Sequence, residues 1–558
     1  MAHLIVPATV EASILVCSEG LSFWGGVNAQ NGIIIDVHHE QCGQSLAGQI
    51  VLMPTSRGSC SGSGVLLELA MNGHAPAAFI FHEDEDILTL GALIATRMFD
   101  HPVGVARLSA SDYDRLATKS HAKIRGTQLE AEGMSITLKP LSATNLDITD
   151  ADRRMLDGDQ GKAVKLAMET LCVMATAQGA KCLTDVTRAH IDGCIYASPA
   201  NLIFAEAMIR MDAKVKIPTT MNAISVDLKN WRSQDVPPDF GLPASRLAEA
   251  YVEMGAQPSF TCAPYLLDNP PEVGEDIGWS ESNAVIFANS VLGARSVKHP
   301  DFLDLFIALT GRAPLSGVYL AKNRVARTVI DIALPETYDD AIWPLLGWLA
   351  GRMAPDRIPI LIGLEGAAPT LDDLKTLCAA FGTTSAAPML HIAGITPEGG
   401  CPPAIDAERV YLSCTDLSMA WSKFNTGGTK IDLVALGSPH FSLSETRHFT
   451  ELMQGRRCHP DTVVIVTLGR ETHAAAKAEG LQSKLEHSGV RIISDLCWCS
   501  ISEPVFPPDA ITLITNSGKY AHYAPGLSGR EVRFGSLAEC ALAAEQGFAS
   551  KELPAWLY

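Results

Sequence analysis

From Gly161 onward, short apolar runs alternate with segments of helical periodicity, and this alternation limits the possible folds more than any other feature. The runs predicted as strands are residues 315–320, 358–363, 389–395, 431–437, 463–468 and 511–515. Strands that alternate with helices favour parallel sheets covered by helices, with ligand sites at the carboxyl ends of the strands. The sequence therefore predicts an α/β fold in which mostly parallel sheets form several subdomains.

The N-terminal part has a different pattern. Residues 14–105 alternate short apolar runs with glycine turns and include one predicted helix at 88–97, which indicates a compact β-rich domain. Residues 108–145 are more polar, have no clear period, and are interpreted as a linker. A helix-start signal at 148–150 opens the second region. We predict a small domain over 1–135 and a large region over 146–558.

Residues 49–73 read as a strand, a polar glycine turn and a helix. The turn carries Arg57, Ser59, Ser61 and Ser63, and we call residues 57–64 the serine turn. The free N–H groups of a helix start attract an anion or a developing alkoxide. A Walker phosphate loop is excluded, because Gly64 is followed by valine rather than by lysine. A plain surface turn is the alternative reading.

Composition excludes several classes of protein. The 558 residues carry a formal net charge of −19, which disfavours nucleic acid and anionic membranes as partners. No stretch reaches the ~20 apolar residues of a membrane span, and the chain does not open on a leader pattern, so a cytoplasmic protein is expected. The 14 cysteines are scattered along the chain, which favours reduced thiols.

Polar and reactive side chains follow several predicted strands. Such clusters occur at 437–440, 494–499 and 516–523, where three successive units end in serine, histidine, cysteine or lysine. Cys262 precedes Pro264, which places its thiol in a turn suited to a soft metal such as iron. The alternative is that Cys262 and Cys497 are unrelated core thiols. Polar runs at 189–192, 218–222 and 281–283 are read either as site residues or as satisfied structural groups.

Taken together, these runs resemble the aconitase X family over nearly the whole chain. Residues 23–27, 32–36 and 54–63 look like its small, swivelling subunit. The matching runs of the large subunit are 189–192, 218–222, 261–265, 281–284, 394–398 and 517–519. The resemblance implies an aconitase-like fold with a small swivelling β-rich (β/β/α) domain fused ahead of the large α/β region. Because the two subunits are fused, a monomer is expected.

The resemblance also implies chemistry. Family members dehydrate either cis-3-hydroxy-L-proline or mevalonate 5-phosphate at an iron or iron–sulfur centre, and the fused arrangement resembles the bacterial enzymes of hydroxyproline metabolism. Ser59 takes the role of the catalytic base. Many relatives carry Gly-Cys-Pro-His where this chain has Ser438 between Gly437 and Pro439. With Cys262, Cys497 and Ser438 as metal ligands, we expect a 2Fe-2S cluster or mononuclear iron rather than a 4Fe-4S cluster, and Cys499 or a carboxylate stays open as a further ligand.

The expected reaction is a lyase (hydro-lyase) reaction that removes water from a small-molecule hydroxy acid. The residues expected to bind that substrate are Arg57, Ser61, Ser63, His190, Thr220, Asn222, Glu281, Asn283 and Lys519. Two alternative functions belong to other classes of protein. One is a catalytically inactive aconitase-like scaffold that binds RNA, and the other is a metal-free α/β binding protein. The net charge and the lack of a basic stripe argue against the first, and colourless protein would indicate the second.

Overall fold

A computed structural model describes residues 2–36, 39–57, 59–142 and 146–558. Gly58 of the serine turn lies outside the described residues. Among the described residues, no helix combines the length and apolarity needed to cross a bilayer.

The N-terminal domain is built on one mixed sheet with helices. Its elements are β1 (His3–Val6), β2 (Val10–Val16), β3 (Ile50–Leu52), α1 (Gly62–Met71), β4 (Ala78–Phe81), α2 (Ile87–Phe99), β5 (Gly104–Arg107), α3 (Ala110–Ala117), β6 (His121–Arg125), β7 (Gln128–Ala131), β8 (Met134–Thr137) and β9 (Lys139–Pro140). The strand order is β8-β7-β6-β2-β3-β4-β5-β1-β9, and β2 to β5 are parallel. The serine turn joins β3 to α1, so the predicted strand, turn and helix are confirmed.

The interpretation of residues 108–145 as a linker is wrong. This segment forms α3 and the antiparallel strands β6 to β8, which extend the sheet beside β2. The strands bury alternate residues such as Ile124 and Leu129, while their other faces carry exposed polar residues. A half-exposed meander is polar in composition, and this explains why the segment resembled a loop.

The large region begins with helices and short sheets. Its first part contains α4 (Asp150–Asp157), α5 (Lys162–Ala177), β10 (Leu183–Asp185), β11 (Ala189–Ile191), α6 (Pro199–Arg210), β12 (Thr219–Met221), α7 (Pro238–Glu253), β13 (Gly278–Trp279), α8 (Ser282–Phe287), a π-helical turn (Ala288–Leu292), α9 (Leu303–Thr310) and β14 (Arg312–Pro314). Thr149 and Asp152 cap α4 reciprocally, which confirms the start signal at 148–150. The strands β12, β11 and β13 lie side by side and parallel.

A parallel sheet in the order β17-β16-β15-β18 follows. Its elements are β15 (Thr328–Ile332), α10 (Ile342–Met353), β16 (Pro359–Ile362), α11 (Leu371–Thr384), β17 (His391–Ile392), β18 (Glu408–Leu412) and α12 (Cys414–Phe424). The strand predicted at 315–320 is wrong, because Gly317–Tyr319 forms a 3₁₀ turn. The apolar residues Val318 and Tyr319 are buried there without a sheet partner.

The last sheet has the parallel order β21-β20-β19-β22-β23. Its elements are β19 (Leu433–Leu436), α13 (Leu443–Leu452), β20 (Val463–Leu468), α14 (Arg470–Ala478), α15 (Leu481–Ser488), β21 (Val490–Ser494), β22 (Thr512–Thr515), α16 (Gly518–Ser528), β23 (Glu531–Phe534) and α17 (Leu537–Gln546). The chain reverses its winding direction between β19 and β22, so a crevice opens beyond their carboxyl ends. The loop that carries Ser438 and the start of α16, which carries Lys519, meet at this crevice. The predicted α/β class with mostly parallel sheets is confirmed.

Candidate active site

Three side chains lie within two residues of the carboxyl ends of the parallel strands β11, β12 and β13. They are Asp192, Asn222 and Glu281, and all three are buried. The Asn222 Nδ2 group donates hydrogen bonds to the Asp192 carboxylate and, over 3.2 Å, to Glu281 Oε2. One amide thus links two buried carboxyl groups. Parallel pairing places consecutive strand ends at one edge, and this is why residues so distant in sequence meet.

Lys519 reaches this edge from the other sheet. It lies in the first turn of α16, and its Nζ donates to Glu281 Oε1 over 2.8 Å. Burial alone would raise the pKa of Glu281, but Lys519 outweighs burial and lowers it. Burial opposes the charge of Lys519, yet Glu281 and neighbouring cysteines raise its pKa well above the usual value. The two groups therefore form a buried ion pair that remains charged at neutral pH.

A cluster of thiols lies beside Lys519. Cys262 and Cys497 are buried against Ala223, and the less buried Cys499 packs on the same group. Hydrogen bonds from the Cys262 and Cys499 thiols hold the pKa of Cys497 well below its usual value. Burial, together with the hydrogen bond to Cys497, raises the pKa of Cys262. The cluster therefore contains one thiolate, Cys497, between the neutral thiols of Cys262 and Cys499.

The loop after β19 packs on this thiol cluster. The His440 N–H donates to Cys262 Sγ over 3.3 Å, and the His440 ring pairs with the Leu496 carbonyl at 2.7 Å. Ser517 Oγ donates to the carbonyl of Ser438, which ties the β19 loop to the α16 start. Ser438 Oγ is buried and finds no hydrogen-bond partner among the described residues. Buried hydroxyl groups are normally hydrogen-bonded, so the partner of this oxygen is expected to be a bound ligand or metal.

These residues fit an iron centre by their chemistry. Cys262, Cys497 and Cys499 are soft ligands, and Lys519 lowers the cost of gathering thiolate charge. The N–H of His440 on a cysteine sulfur is the kind of contact that tunes an iron–sulfur centre. Within the described residues, no three His, Cys, Asp or Glu side chains already stand in an arrangement that could hold a metal ion. The donor atoms are therefore gathered in one place but do not form a closed cage.

The serine turn presents its hydroxyls at the start of α1. Ser59 Oγ donates to Ser61 Oγ over 3.3 Å, and the Ser61 N–H donates back to Ser59 Oγ over 3.3 Å. Ser63 is fully buried and donates to the Cys60 carbonyl. Ser59 is partly exposed, unlike Ser61 and Ser63. The backbone N–H beside Ser59 Oγ is suited to stabilise negative charge on that oxygen.

The turn is docked on the large region. The Cys60 thiol donates to the Ser280 carbonyl over 3.6 Å, and the Cys60 carbonyl accepts from the Asp301 N–H over 3.4 Å. Burial raises the pKa of the Asp301 carboxyl to about 8, and the nearby Ser61 hydroxyl opposes that rise. Further along α1, Glu68 accepts from the Ala200 N–H at the start of α6 over 3.0 Å. The serine turn thus lies at the boundary between the N-terminal domain and the strand ends that carry Asp192 and Glu281.

Other predicted residues have different surroundings. Arg57 is half exposed and forms ion pairs with Glu19 at 2.8 Å and Asp36 at 3.8 Å on its own domain. His190 pairs with Thr220 over 2.8 Å, and burial lowers the pKa of His190 to about 3, so its ring is neutral.

Asn283 joins the Glu281 carboxylate to the Cys262 carbonyl, which it reaches over 3.1 Å. The structure therefore gathers Asn222, Glu281, Asn283, Lys519, Cys262 and Cys497 at one place, with the serine turn docked on the large region through Cys60, whereas Arg57 turns towards its own domain.

Sequence reasoning missed Asp301 and Asp304. Asp304 Oδ2 accepts from the Asp192 N–H at 2.7 Å and from the Gly193 N–H at 3.3 Å. The Asp301 N–H donates to the Cys60 carbonyl, and the Asp301 carboxyl is buried with its Oδ1 unpartnered among the described residues. The two aspartates surround the start of α9, and nothing in their spacing separates them from ordinary helix-start acids. Their meeting with Asp192 depends on the tertiary fold.

Sequence profiles of one family match four segments that together span most of the chain. They are the aconitase X swivel domain at 1–132, the first domain at 145–322, the second at 326–422 and the third at 431–546. The fold and the site together define a fused aconitase-like protein with its small part first. The chain belongs to the aconitase X family, and the resemblance drawn from the sequence is confirmed.

Relatives sharpen this assignment. The chain is 46% identical to a cis-3-hydroxy-L-proline dehydratase of Pseudomonas aeruginosa, over 100% of this chain and 99% of the relative. It is 43% identical to a protein of the same name from Hypocrea jecorina, over 96% and 94%. A phosphomevalonate dehydratase large subunit of Methanocaldococcus jannaschii is 30% identical, over 70% of this chain and 98% of the subunit.

A solved structure supports the fold. The crystal structure of Thermococcus kodakaraensis aconitase X in its holo-form matches with a TM-score of 0.65 and 29% identity. The match covers 71% of this chain and 99% of that chain. The aconitase-like fold predicted from the sequence is confirmed.

Proposed function

We propose that this protein is a hydro-lyase that dehydrates cis-3-hydroxy-L-proline to Δ1-pyrroline-2-carboxylate. The observation that carries the proposal is that the serine turn docks through Cys60 on Ser280 and Asp301, next to the buried contacts that join Asp192, Asn222 and Glu281 to Lys519 and the thiols. The proposal takes its substrate from the two full-length relatives. A phosphomevalonate substrate would need a second anion site for its phosphate, and the relative with that name matches the large region at lower identity.

In this mechanism Ser59 removes the C2 proton of the substrate. A serine is a weak base, so the Ser59 oxygen must be stabilised as it gains negative charge. The Ser61 N–H already donates to that oxygen. Ser59 is also the more exposed of the two serines, and a base must reach its substrate.

Lys519 is the cation placed to bind the substrate carboxylate. Its Nζ already pairs with one carboxylate oxygen of Glu281, and an ammonium carries three donors. Asn222 and Asn283 fix Glu281 from either side and thereby hold Lys519 in place. His190, whose Nε2 is buried without a partner among the described residues, is a neutral acceptor for the ring nitrogen proton.

Cys262 and Cys497 would hold the iron, with Cys499 or Ser438 as the further ligand. When bound, iron supplies the Lewis acidity that stabilises the departing hydroxyl. We propose a 2Fe-2S cluster or a mononuclear iron, because the motif position that many relatives fill with cysteine is Ser438 here. Under this proposal the protein acts as a monomer, since both parts of the site lie on one polypeptide. We also propose that it acts in the cytoplasm.

The test is an assay of the full-length, iron-reconstituted protein with cis-3-hydroxy-L-proline and, separately, mevalonate 5-phosphate. Iron and acid-labile sulfide are measured on the same preparation. We expect turnover of the hydroxyproline only, by coloured protein. Turnover of mevalonate 5-phosphate alone, or of neither substrate by iron-loaded protein, would overturn the proposal.

A further inference from the structure

We propose that Arg470 is a positioning residue that holds the two chain segments carrying Cys262 and Cys497 in a fixed relative position. The inference deepens the proposed function and rests on its assignment of these two thiols as iron ligands. Arg470 lies outside the thiol cluster. It acts two residues before each cysteine, on Phe260 and on Asp495, and thereby sets the distance at which the two thiols face a bound metal.

The side chain of Arg470 makes two contacts at once. Its Nε and Nη2 groups donate to the two carboxylate oxygens of Asp495 over 2.5 Å and 2.8 Å, which is a bidentate ion pair. The carbon at the centre of its guanidinium group lies 4.3 Å from the centroid of the Phe260 ring. A planar guanidinium can hydrogen-bond through its edge while its face stacks on a ring, and an ammonium group cannot do both. One side chain thus joins the segments that precede the two cysteines.

Both partners of Arg470 are buried, whereas the arginine itself is partly exposed. Phe260 is fully buried, and 1% of the surface of Asp495 is exposed. A buried carboxylate that loses its cation is left with an uncompensated charge, so this ion pair is expected to stay closed. The contact therefore differs from an ordinary pair of surface charges, which water screens.

Asp495 also contacts the segment that follows β12. The Leu228 N–H donates to Asp495 Oδ2 over 3.2 Å, and the Ile224 N–H donates to the Asp495 carbonyl over 2.7 Å. Ile224 directly follows Ala223, against which the two buried thiols pack. Asp495 thus connects the arginine with the surface on which both thiols lie.

The two residues that Arg470 contacts share an unusual backbone conformation. Phe260 has a φ of 42° and Asp495 a φ of 72°. Aspartate tolerates this left-handed region better than most residues, but a large side chain such as that of phenylalanine rarely adopts it. Strain of this kind persists where the surrounding structure fixes a functional position. Each residue precedes a cysteine by two positions, so the conformation that the arginine holds sets how the chain reaches each thiol.

The start of α14 lies close to the segment that carries Cys262. Gly469 directly precedes Arg470, and a Cβ atom at Gly469 would lie 3.1 Å from both Cβ and Oγ1 of Thr261. Thr261 Oγ1 also pairs with the His440 ring over 3.1 Å. This close approach leaves the start of the helix little room to shift against the Cys262 segment. The arginine is therefore held by its backbone as well as by its two partners.

Arg447 provides a matched comparison in the same part of the chain. Its Nε and Nη2 groups donate to the two carboxylate oxygens of Glu479 over 2.8 Å and 2.5 Å, so the ion pair has the same bidentate form. Both side chains of this pair are exposed, and it joins α13 to the residue after α14. Substitution of Arg447 therefore removes the same kind of pair from the surface of the same sheet.

The experiment measures how fast the iron-loaded protein releases iron to an excess of a chelator. Arg470→Met removes both contacts and is expected to release iron about 10–100-fold faster than the wild type, the usual cost of losing a group that orients a metal ligand. Arg470→Lys keeps the charge but loses the fork and the stacking face, so its rate is expected to lie nearer to that of Arg470→Met than to the wild type. Arg447→Met is expected to match the wild type.

A second measurement separates positioning from a general loss of stability. The visible absorption of the freshly loaded protein reports on the arrangement of the thiolates around iron, and circular dichroism shows whether the chain stays folded during release. In Arg470→Met and Arg470→Lys the absorption is expected to shift while the circular dichroism is unchanged. In Arg447→Met both spectra are expected to match the wild type.

Wild-type iron release and absorption in Arg470→Met overturn the inference and leave the proposed function standing. Wild-type behaviour of Arg470→Lys, or equal acceleration in Arg470→Met and Arg447→Met, also overturns it. If Arg470→Met fails to fold, Phe260→Leu replaces it, because this change removes the stacking surface and keeps the ion pair. A wild-type release rate in Phe260→Leu then overturns the inference. Inactivity of iron-loaded wild-type protein on cis-3-hydroxy-L-proline is the separate result that overturns the proposed function.

Discussion

The serine turn and the thiol cluster are the two halves of the proposed site, and they are built in opposite ways. Cys262, Cys497, Glu281 and Lys519 are buried, and Glu281 accepts hydrogen bonds from Asn222, Asn283 and Lys519. Ser59 is partly exposed and is held by its bonds to Ser61. Under the proposed function, the rigid half binds the metal and the substrate anion, and the less tightly held half supplies the base.

This difference fits the architecture. A boundary between domains is a favoured place for a pocket, and relative motion of the two admits substrate. Separating the two charges of a buried ion pair costs free energy, so the half that contains the pair is expected to stay rigid. A base that contacts the substrate only after the two domains close does not need many hydrogen bonds to hold it beforehand. The predictions below test each half, beginning with the largest expected effect.

Cys497→Ala should remove iron and all turnover. Cys497 contacts both other thiols of the cluster and is the one whose pKa is held lowest, so it is the first thiolate available to a metal. Iron content and turnover after anaerobic reconstitution provide the measurement. Cys540→Ala is the matched control, because Cys540 is a fully buried thiol of α17 outside the cluster. Normal iron content in Cys497→Ala would break the assignment of the metal to this half.

Lys519→Met should lower the free energy of unfolding by about 3–5 kcal/mol, because it leaves the charge of Glu281 buried and unpaired. Activity should fall with it, since the substrate carboxylate loses its cation. The double variant Glu281→Gln/Lys519→Met should recover much of the lost stability and none of the activity. Denaturant titration and turnover measure the two effects. A double variant no more stable than Lys519→Met would contradict the buried ion pair.

Stability should fall as the pH rises from about 4 to about 8, a smaller effect that reports on the boundary between the halves. The pKa of Asp301 is about 8 in the folded protein, against an ordinary value near 3.8. The native state then binds more protons than the unfolded chain between these values, so the stabilisation is complete below the ordinary value and is lost as pH rises through about 8. Asp301→Asn should reduce this slope in denaturant titrations. An unchanged slope would show that Asp301 does not titrate there.

Sequence reasoning identified the residues of the half that contains the thiols, but it missed the aspartates next to the serine turn. Asn222, Glu281 and Cys497 lie shortly after the ends of β12, β13 and β21, and Lys519 lies in the first turn of the helix that follows β22. Parallel sheets collect such strand ends at one edge. That rule needs only the order of strands and helices.

The parts that were missed depend on contacts that no periodicity records. Asp301 and Asp304 precede or begin a helix, as many acids do, and only the docking of the N-terminal domain brings Ser61 to Asp301. The interpretation of 108–145 as a linker failed for a related reason, because a strand exposed on one face has the composition of a loop. The boundaries 1–135 and 146–558, and the roles of the individual site residues, stay predictions.

The most direct test of the account is the turnover of cis-3-hydroxy-L-proline by iron-loaded Ser59→Ala, with iron content measured on the same sample. Ser56→Ala is the matched control, because the Ser56 hydroxyl bonds Glu85 within its own domain. The account predicts that Ser59→Ala keeps the iron content of the wild type and loses about 1,000-fold or more in kcat, the scale of a lost acid–base group. Wild-type turnover by iron-loaded Ser59→Ala would contradict the claim that the serine turn supplies the base.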